Sequence, residues 1–175
     1  LAWISLFILV LALAWFAPRW GLNVQFRRWR IAVEREHIED SLKLLLDNQW
    51  ENHPISWRQL AADLRLSDKA ALRLLERMQT QGFLKISGDD LQLTSLGEQT
   101  ALHITRTHRL LERYLADEAR MPLNQIHNVA HRMEHKLTAA QVNELDAAMG
   151  FPQHDPHGDP IPNDKGDLPA GRRQE

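Results

Sequence analysis

His127, His131, Glu134 and His135 stand at relative positions 0, 4, 7 and 8 of one short stretch. A helix turns once every 3.6 residues, so it brings such positions onto a single face. On the preceding apolar-periodic stretch, His108 and Glu112 stand four residues apart and share a face by the same rule. Six side chains of metal-ligand type thus cover two helical stripes. Imidazole and carboxylate together satisfy a borderline divalent cation, and two helices facing each other can present roughly four to six of them to one ion. A lone helical histidine is usually solvated or a satisfied core group, and Glu–His pairs at this spacing are common on surfaces. Four ligand-type residues on one stripe, opposite a His/Glu pair, form a rarer pattern that points to metal. Glu118 and His103 lie on the same long helix as His108, at angles that fit the cluster less well.

Composition narrows the chemistry. The chain has no cysteine, which excludes disulfides and thiolate sites. A metal must therefore be held by nitrogen and oxygen, a set that suits Mn, Fe, Co, Ni or Zn better than Cu(I) or an iron–sulfur cluster. The net charge of -2 gives no overall basic footprint, so a nucleic-acid role needs a local patch. His131-Arg-Met-Glu134-His135 also matches the H-x-x-E-H pattern of inverted zinc peptidases. Such an enzyme needs a third ligand and a substrate cleft further on. Only 40 residues follow His135, mostly of tail-like composition, so the chain is not read as an enzyme.

The fold class expected is mainly α. Residues 1–17 carry no charge and one polar side chain, Ser5, and Pro18 follows. That run is at the short limit for a bilayer span, so residues 1–18 are expected to form one transmembrane helix, with a buried core helix as the competing reading. Residues 19–34 read as a basic juxtamembrane linker holding Arg19, Arg27, Arg28 and Arg30 beside Trp20 and Trp29. The positive-inside rule puts the chain beyond that helix on the cytoplasmic side. No charged n-region or cleavage motif marks a signal peptide. The first residue is Leu, as in a fragment of a longer chain.

Residues 35–98 are expected to form a winged helix-turn-helix. A helix over 32–49 carries Ile38, Leu42, Leu45 and Leu46 at helical spacing. Ser56 caps a helix Trp57–Leu64, and Ser67 caps another, Asp68–Gln79, whose core face is Ala71, Leu74, Leu75 and Met78. Two short strands come next, Phe83–Ile86 and Leu91–Leu93. The third helix would enter the major groove. Lys69 and Arg73 could contact phosphate or guanine, and Arg65 and Arg77 would extend the basic face. Asp68, Ala70 and Leu72 oppose that role, and a structural helix with solvated charges is the competing reading. Helices over about 98–118, 123–136 and 139–149 make a domain spanning 99–150. Residues 151–175, rich in Pro and Gly, read as a partly disordered tail.

Three stretches carry a family resemblance: Arg106-Thr-His-Arg-Leu-Leu-Glu-Arg-Tyr-Leu115, Ile126-His-Asn-Val-Ala-His-Arg-Met-Glu-His135 and Asp155-Pro-His-Gly-Asp-Pro-Ile-Pro162. Over about Glu36 to Pro162 the chain resembles metal-dependent repressors of the DtxR/MntR type. The resemblance implies a winged helix-turn-helix joined to a helical metal-binding and dimerisation domain. It implies that Mn(II) or Fe(II) favours the homodimer that binds operator DNA and shuts down metal uptake. The primary metal site it implies is Glu134 and His135 with a first-helix ligand at Asp40, or at His37 one turn earlier. His131 stands where the family has Cys or a carboxylate, which leaves the metal preference open and keeps Zn(II) as a candidate. The second site it implies is His108, Glu112 and His127. Phe16-Ala-Pro-Arg-Trp-Gly21 resembles the end of the last membrane helix of metal ABC-transporter permeases, some of which continue into a domain of this type.

Two functions are compatible with these residues. One is a dimeric metal-dependent repressor. The other is a metal-sensing cytoplasmic domain of a metal ABC-transporter permease, anchored to the inner membrane by residues 1–18 and not touching DNA. Leu110, Leu111, Tyr114 and Leu137 could serve the dimer or the intrachain core. Ligation needs neutral imidazoles, so metal affinity is expected to fall below about pH 6.5.

Overall fold

The computed structural model describes residues 3, 4, 6, 7 and 21–169. The transmembrane helix expected over 1–18 therefore lies outside the described residues, those four positions apart. Among the described residues no helix is long and apolar enough to cross a membrane. The chain divides into two compact units, Leu1–Ile38 and Glu39–Glu175.

Helix α1 runs Leu22–Trp50. It starts ten residues earlier than the apolar periodicity suggested, within the stretch read as a linker. Between Leu22 and Trp50 no Gly or Pro interrupts the chain, and the Gly21 carbonyl accepts the first helical bond from Val24 at 2.9 Å. Leu22, Phe26, Trp29 and Ile31 on this early part are exposed, which is why no buried stripe announced it. Leu42, Leu45 and Leu46 are buried in the second unit.

Helices α2 (Trp57–Asp63) and α3 (Asp68–Thr80) start where Ser56 and Ser67 accept backbone N–H bonds from Gln59 and Ala70. Such caps satisfy donors that a helix start leaves unpaired. The stripe Ala71, Leu74, Leu75 and Met78 is buried as expected. Strand β1 (Leu84–Ser87) pairs antiparallel with β2 (Asp90–Leu93), with Leu84 opposite Leu93 and Ser87 opposite Asp90. The order is that of a winged helix-turn-helix.

Helix α4 (Ser95–Asp117) begins against this wing. Thr94 caps it through the Gly97 N–H, and the Thr94 hydroxyl donates to the Gly82 carbonyl at 2.6 Å. A Cβ at Gly97 would sit 2.0 Å from the Phe83 carbonyl oxygen, so only glycine permits this approach. The winged helix and the helical domain, divided at 98 on sequence grounds, accordingly lie in one compact unit.

Helix α5 (Leu123–Glu134) packs on α4 through Leu111, Leu115, Ile126 and Ala130. Helix α6 (Ala139–Ala148) starts with a capping box between Thr138 and Gln141. A second cluster joins Leu110, Val142 and Ile161. Leu110 and Leu111 are thus intrachain core, whereas Tyr114 is exposed. The stretch from 151, read as a partly disordered tail, is an ordered loop as far as it is described. Ile161 is 4% exposed, and its N–H donates to the Gln153 carbonyl at 2.8 Å. Its prolines and glycines fix turns here instead of loosening the chain.

Candidate metal centre

Among the described residues, two groups of ligand-type side chains form within the second unit. In the first, Asp40 on α1, His131 and Glu134 on α5, and His135 at its end each bring one donor atom within 4.8 Å of the others. His131 Nδ1 lies 3.0 Å from Glu134 Oε1 and 3.8 Å from Asp40 Oδ1. His135 Nε2 lies 3.5 Å from Asp40 Oδ1 and 3.6 Å from Glu134 Oε1. The second group is His108, Glu112 and His127. Both imidazoles aim a nitrogen at Glu112 Oε1, each at 3.0 Å, and the two nitrogens are 3.1 Å apart. The i,i+4 spacing of His108 and Glu112 produces their approach directly, and His127 reaches them from the neighbouring helix.

The two groups touch. His108 Nδ1 hydrogen-bonds Glu134, so one imidazole joins the carboxylates of both. The Glu134 side chain is fully buried, and burial alone would push its carboxyl up. The hydrogen bond from His108, the charge of Lys43 and the bond from His131 outweigh burial and hold it at about 2. Burial likewise pushes Glu112 up, but His108 and His127 hold it down to about 2. Burial would lower His135, yet Asp40 and Glu39, with the Glu134 charge, drive it up to about 9. His108 is raised too, burial being overcome by its bonds to Glu112 and Glu134. These are paired ionic groups inside a core, held by several hydrogen bonds each, as buried charge requires.

The donor set fits a borderline divalent cation. It contains only imidazole nitrogen and carboxylate oxygen, converging from two helices, with the central carboxylate withdrawn from solvent. At the first-helix position, Asp40 is the residue gathered into the group. Two further participants are not apparent from the sequence pattern. Glu39 accepts from His135 Nδ1 at 2.5 Å and thereby orients the ring. Lys43 places its ammonium 3.3 Å from Glu134. Its spacing of three from Asp40 is the one signal for it, and a pattern of metal ligands gives no reason to include a cation.

The proposed DNA-contacting residues are elsewhere. Arg65, in the turn before α3, and Lys69, Arg73 and Arg77 along it are all exposed. The last three recur every four residues and so share a face, with Asp68 exposed at the helix start.

Residues 94–163 match the family model of the iron dependent repressor, metal binding and dimerisation domain. The chain is 33% identical over 105 residues to the iron-dependent repressor IdeR of Mycobacterium tuberculosis, covering 59% of this chain and 46% of that protein. It is also similar to a solved manganese-dependent transcriptional repressor in complex with manganese, with a TM-score of 0.71, 33% identity, and coverage of 77% of this chain and 62% of that one. Residues 94–163 thus match the metal binding and dimerisation domain of iron dependent repressors, and the chain is similar to metal-dependent repressors of the DtxR/MntR type. The matched domain contains every member of the two groups except Asp40 on α1. A third relative, a probable metal transport system membrane protein of Chlamydia pneumoniae, is 28% identical over 161 residues, covering 87% of this chain and 36% of that protein. The chain spans less than half the length of these two sequence relatives.

Proposed function

We propose that the chain is a metal-dependent transcriptional regulator of metal-ion homeostasis. It would bind Mn(II) or Fe(II), with Zn(II) next, and as a homodimer would bind operator DNA and repress metal uptake. The convergence of Asp40, His131, Glu134 and His135 from two helices carries this reading. Asp40 lies on α1, which leads into the winged helix, whereas Glu134 and His135 belong to the helical domain. When bound, a dication supplies the positive charge that holds these carboxylates and imidazoles together. It favours whichever arrangement keeps α1 against the end of α5, and by linkage that arrangement binds metal best. Lys69 and Arg73, with Arg65 and Arg77, are the residues proposed to meet DNA.

The similarity to a membrane component of metal transport supports a second reading. Here residues 1–18 anchor the chain to the inner membrane, and the remainder senses metal on the cytoplasmic side for a permease without touching DNA. Gel retardation of promoter-length duplex at 50 mM and 200 mM salt, with and without Mn(II), separates the two. The repressor reading expects metal-dependent retardation that weakens with salt and with Lys69→Ala/Arg73→Ala. Metal binding without any retardation at low salt leaves the second reading standing alone.

A further inference from the structure

The leading part of α1 belongs to the unit Leu1–Ile38. Within it Leu22, Phe26, Trp29 and Val33 follow one another at spacings of four, three and four. A helix turning roughly 100° per residue gathers such positions into an arc of about 60°. The stripe is open to solvent. Leu22, Phe26 and Trp29 are 53%, 54% and 59% exposed, and Val33 is half-buried. The Phe26 and Trp29 rings pack on each other with centroids 5.6 Å apart and make one continuous apolar patch. Isolated exposed apolar side chains are ordinary, but a contiguous patch with two aromatic rings marks a contact surface. Ile31 is exposed as well, on the opposite side of the helix, and stands apart from the patch.

Charge decides what the patch meets. Residues 22–33 hold three arginines, Arg27, Arg28 and Arg30, and no acidic residue, in a chain whose net charge is -2. All three are exposed. Arg27 and Arg30 lie to one side of the stripe and Arg28 to the other. A nucleic-acid duplex would pair with the guanidiniums but leave Phe26 and Trp29 in water. A second copy of this chain would cover the rings but bring two sets of arginines together, with no acid in this segment to offset them. A bilayer surface bearing anionic headgroups satisfies both halves. Its acyl boundary takes the apolar stripe, and its phosphates take the arginines, whose methylene stems lie along that boundary while the guanidiniums reach outward. Trp suits that depth, because its ring is apolar and its indole N–H is polar.

We propose that residues 22–33 of α1 form an interfacial helix that docks on an anionic lipid surface through Leu22, Phe26 and Trp29, with Arg27, Arg28 and Arg30 binding lipid phosphate. Docking needs neither a bilayer span by residues 1–18 nor a choice between the repressor and the permease-sensor readings.

The chain has no cysteine of its own, so one introduced cysteine carries the only nitroxide label. Phe26→Cys, Trp29→Cys and Ile31→Cys of the full chain are labelled, the label being apolar enough to keep the stripe. Circular dichroism of each labelled chain verifies its helix content. Electron paramagnetic resonance power saturation against oxygen and a water-soluble nickel chelate then reads depth. The vesicles are equimolar phosphatidylglycerol and phosphatidylcholine, or phosphatidylcholine alone. On the anionic vesicles, labels at 26 and 29 should lose nickel contact severalfold and gain oxygen contact, while the label at 31 stays in water. Arg27→Gln/Arg28→Gln/Arg30→Gln should raise the lipid concentration for half-maximal protection by about a hundredfold, roughly fivefold per arginine. Labels at 26 and 29 that stay in water on anionic vesicles overturn the docking. If the chain is nonetheless bound to both vesicle types, attachment runs through another segment, and the anchoring role read for residues 1–18 survives without it. Equal protection on both vesicle types, unmoved by the arginine variant, also overturns it, because charge then selects nothing. So does spin–spin broadening at position 29 without lipid, since a second copy then covers the stripe, and so does nickel protection by duplex DNA in place of vesicles.

Discussion

Raising the pH from 6.5 to 8.5 should strengthen Mn(II) binding at the first group by about two powers of ten. Asp40, Glu39 and Glu134 surround His135 and hold its imidazole protonated up to about pH 9. A metal ligates only the neutral ring, so binding must expel that proton. At pH 7 the protonated form exceeds the neutral one by about a hundredfold, since the pKa lies two units higher. Each pH unit below 9 therefore weakens apparent affinity about tenfold, or roughly 1.4 kcal/mol. An unperturbed histidine would bring affinity to its plateau just above pH 6.5. The surrounding carboxylates move that plateau upward, because in the metal-free protein the proton serves as their counter-ion. The assay is competitive Mn(II) titration at fixed ionic strength under argon. Parallel calorimetry at pH 7 in two buffers of different ionisation enthalpy should count about one proton released. Affinity that is flat between pH 7 and 8.5, with no proton released, would refute the reasoning. The same shift has a sign for stability. The folded pKa is above the unfolded one, so the His135 contribution to the metal-free fold is fully present below about pH 6.5 and is lost as pH rises through about 9.

Glu134→Gln should remove the first metal equivalent, and urea denaturation at pH 7 should show the metal-free protein weakened by about 3 kcal/mol, because the carboxyl is held near 2 instead of 4.5. For the same reason the wild-type stability contributed by Glu112 and Glu134, present above about pH 4.5, should be lost as pH falls through about 2, seen as acid unfolding by circular dichroism. Lys43→Met removes the cation beside Glu134 and should raise Mn(II) affinity about tenfold in the same titration. Gly97→Ala should cost about 1–3 kcal/mol in thermal unfolding, because its Cβ would meet the Phe83 carbonyl at 2.0 Å.

The parts legible in the sequence were those set by local rules. Ser56, Ser67 and Thr138 each cap the helix expected of them, and the stripe from Ala71 to Met78 is buried as its spacing required. Most of the metal-type side chains were legible because they lie on short helical stripes, whereas their division into two groups and the inclusion of Asp40 came from the family resemblance. Contacts between distant segments were not legible. Nothing local marks Leu110 as facing Val142 and Ile161, or Asp155 as sharing a cavity with Glu112. Composition misled in two places. Arg-rich sequence from Leu22 is helix, because helix continuation needs no apolar face where no breaker intervenes. The Pro/Gly-rich stretch from 151 is an ordered loop over its described residues, to 169, because turn residues combined with one buried anchor, Ile161, fix it.

The join between the two groups has a chemical consequence for the proposed ligand sets. His108 presents Nε2 to Glu112 and His127, and Nδ1 to Glu134. An imidazole that ligates through Nε2 keeps its proton on Nδ1, and here that proton points at the carboxylate of the first group. A cation held at the proposed second centre would fix the tautomer that donates to Glu134 and so orient that carboxylate. Lys43, paired with the same carboxylate, acts in the opposite sense by supplying charge that a metal must displace or tolerate. In the proposed ligand sets Glu134 would therefore be the residue through which the two sites sense each other. Its fully buried side chain leaves it no solvent to moderate that coupling.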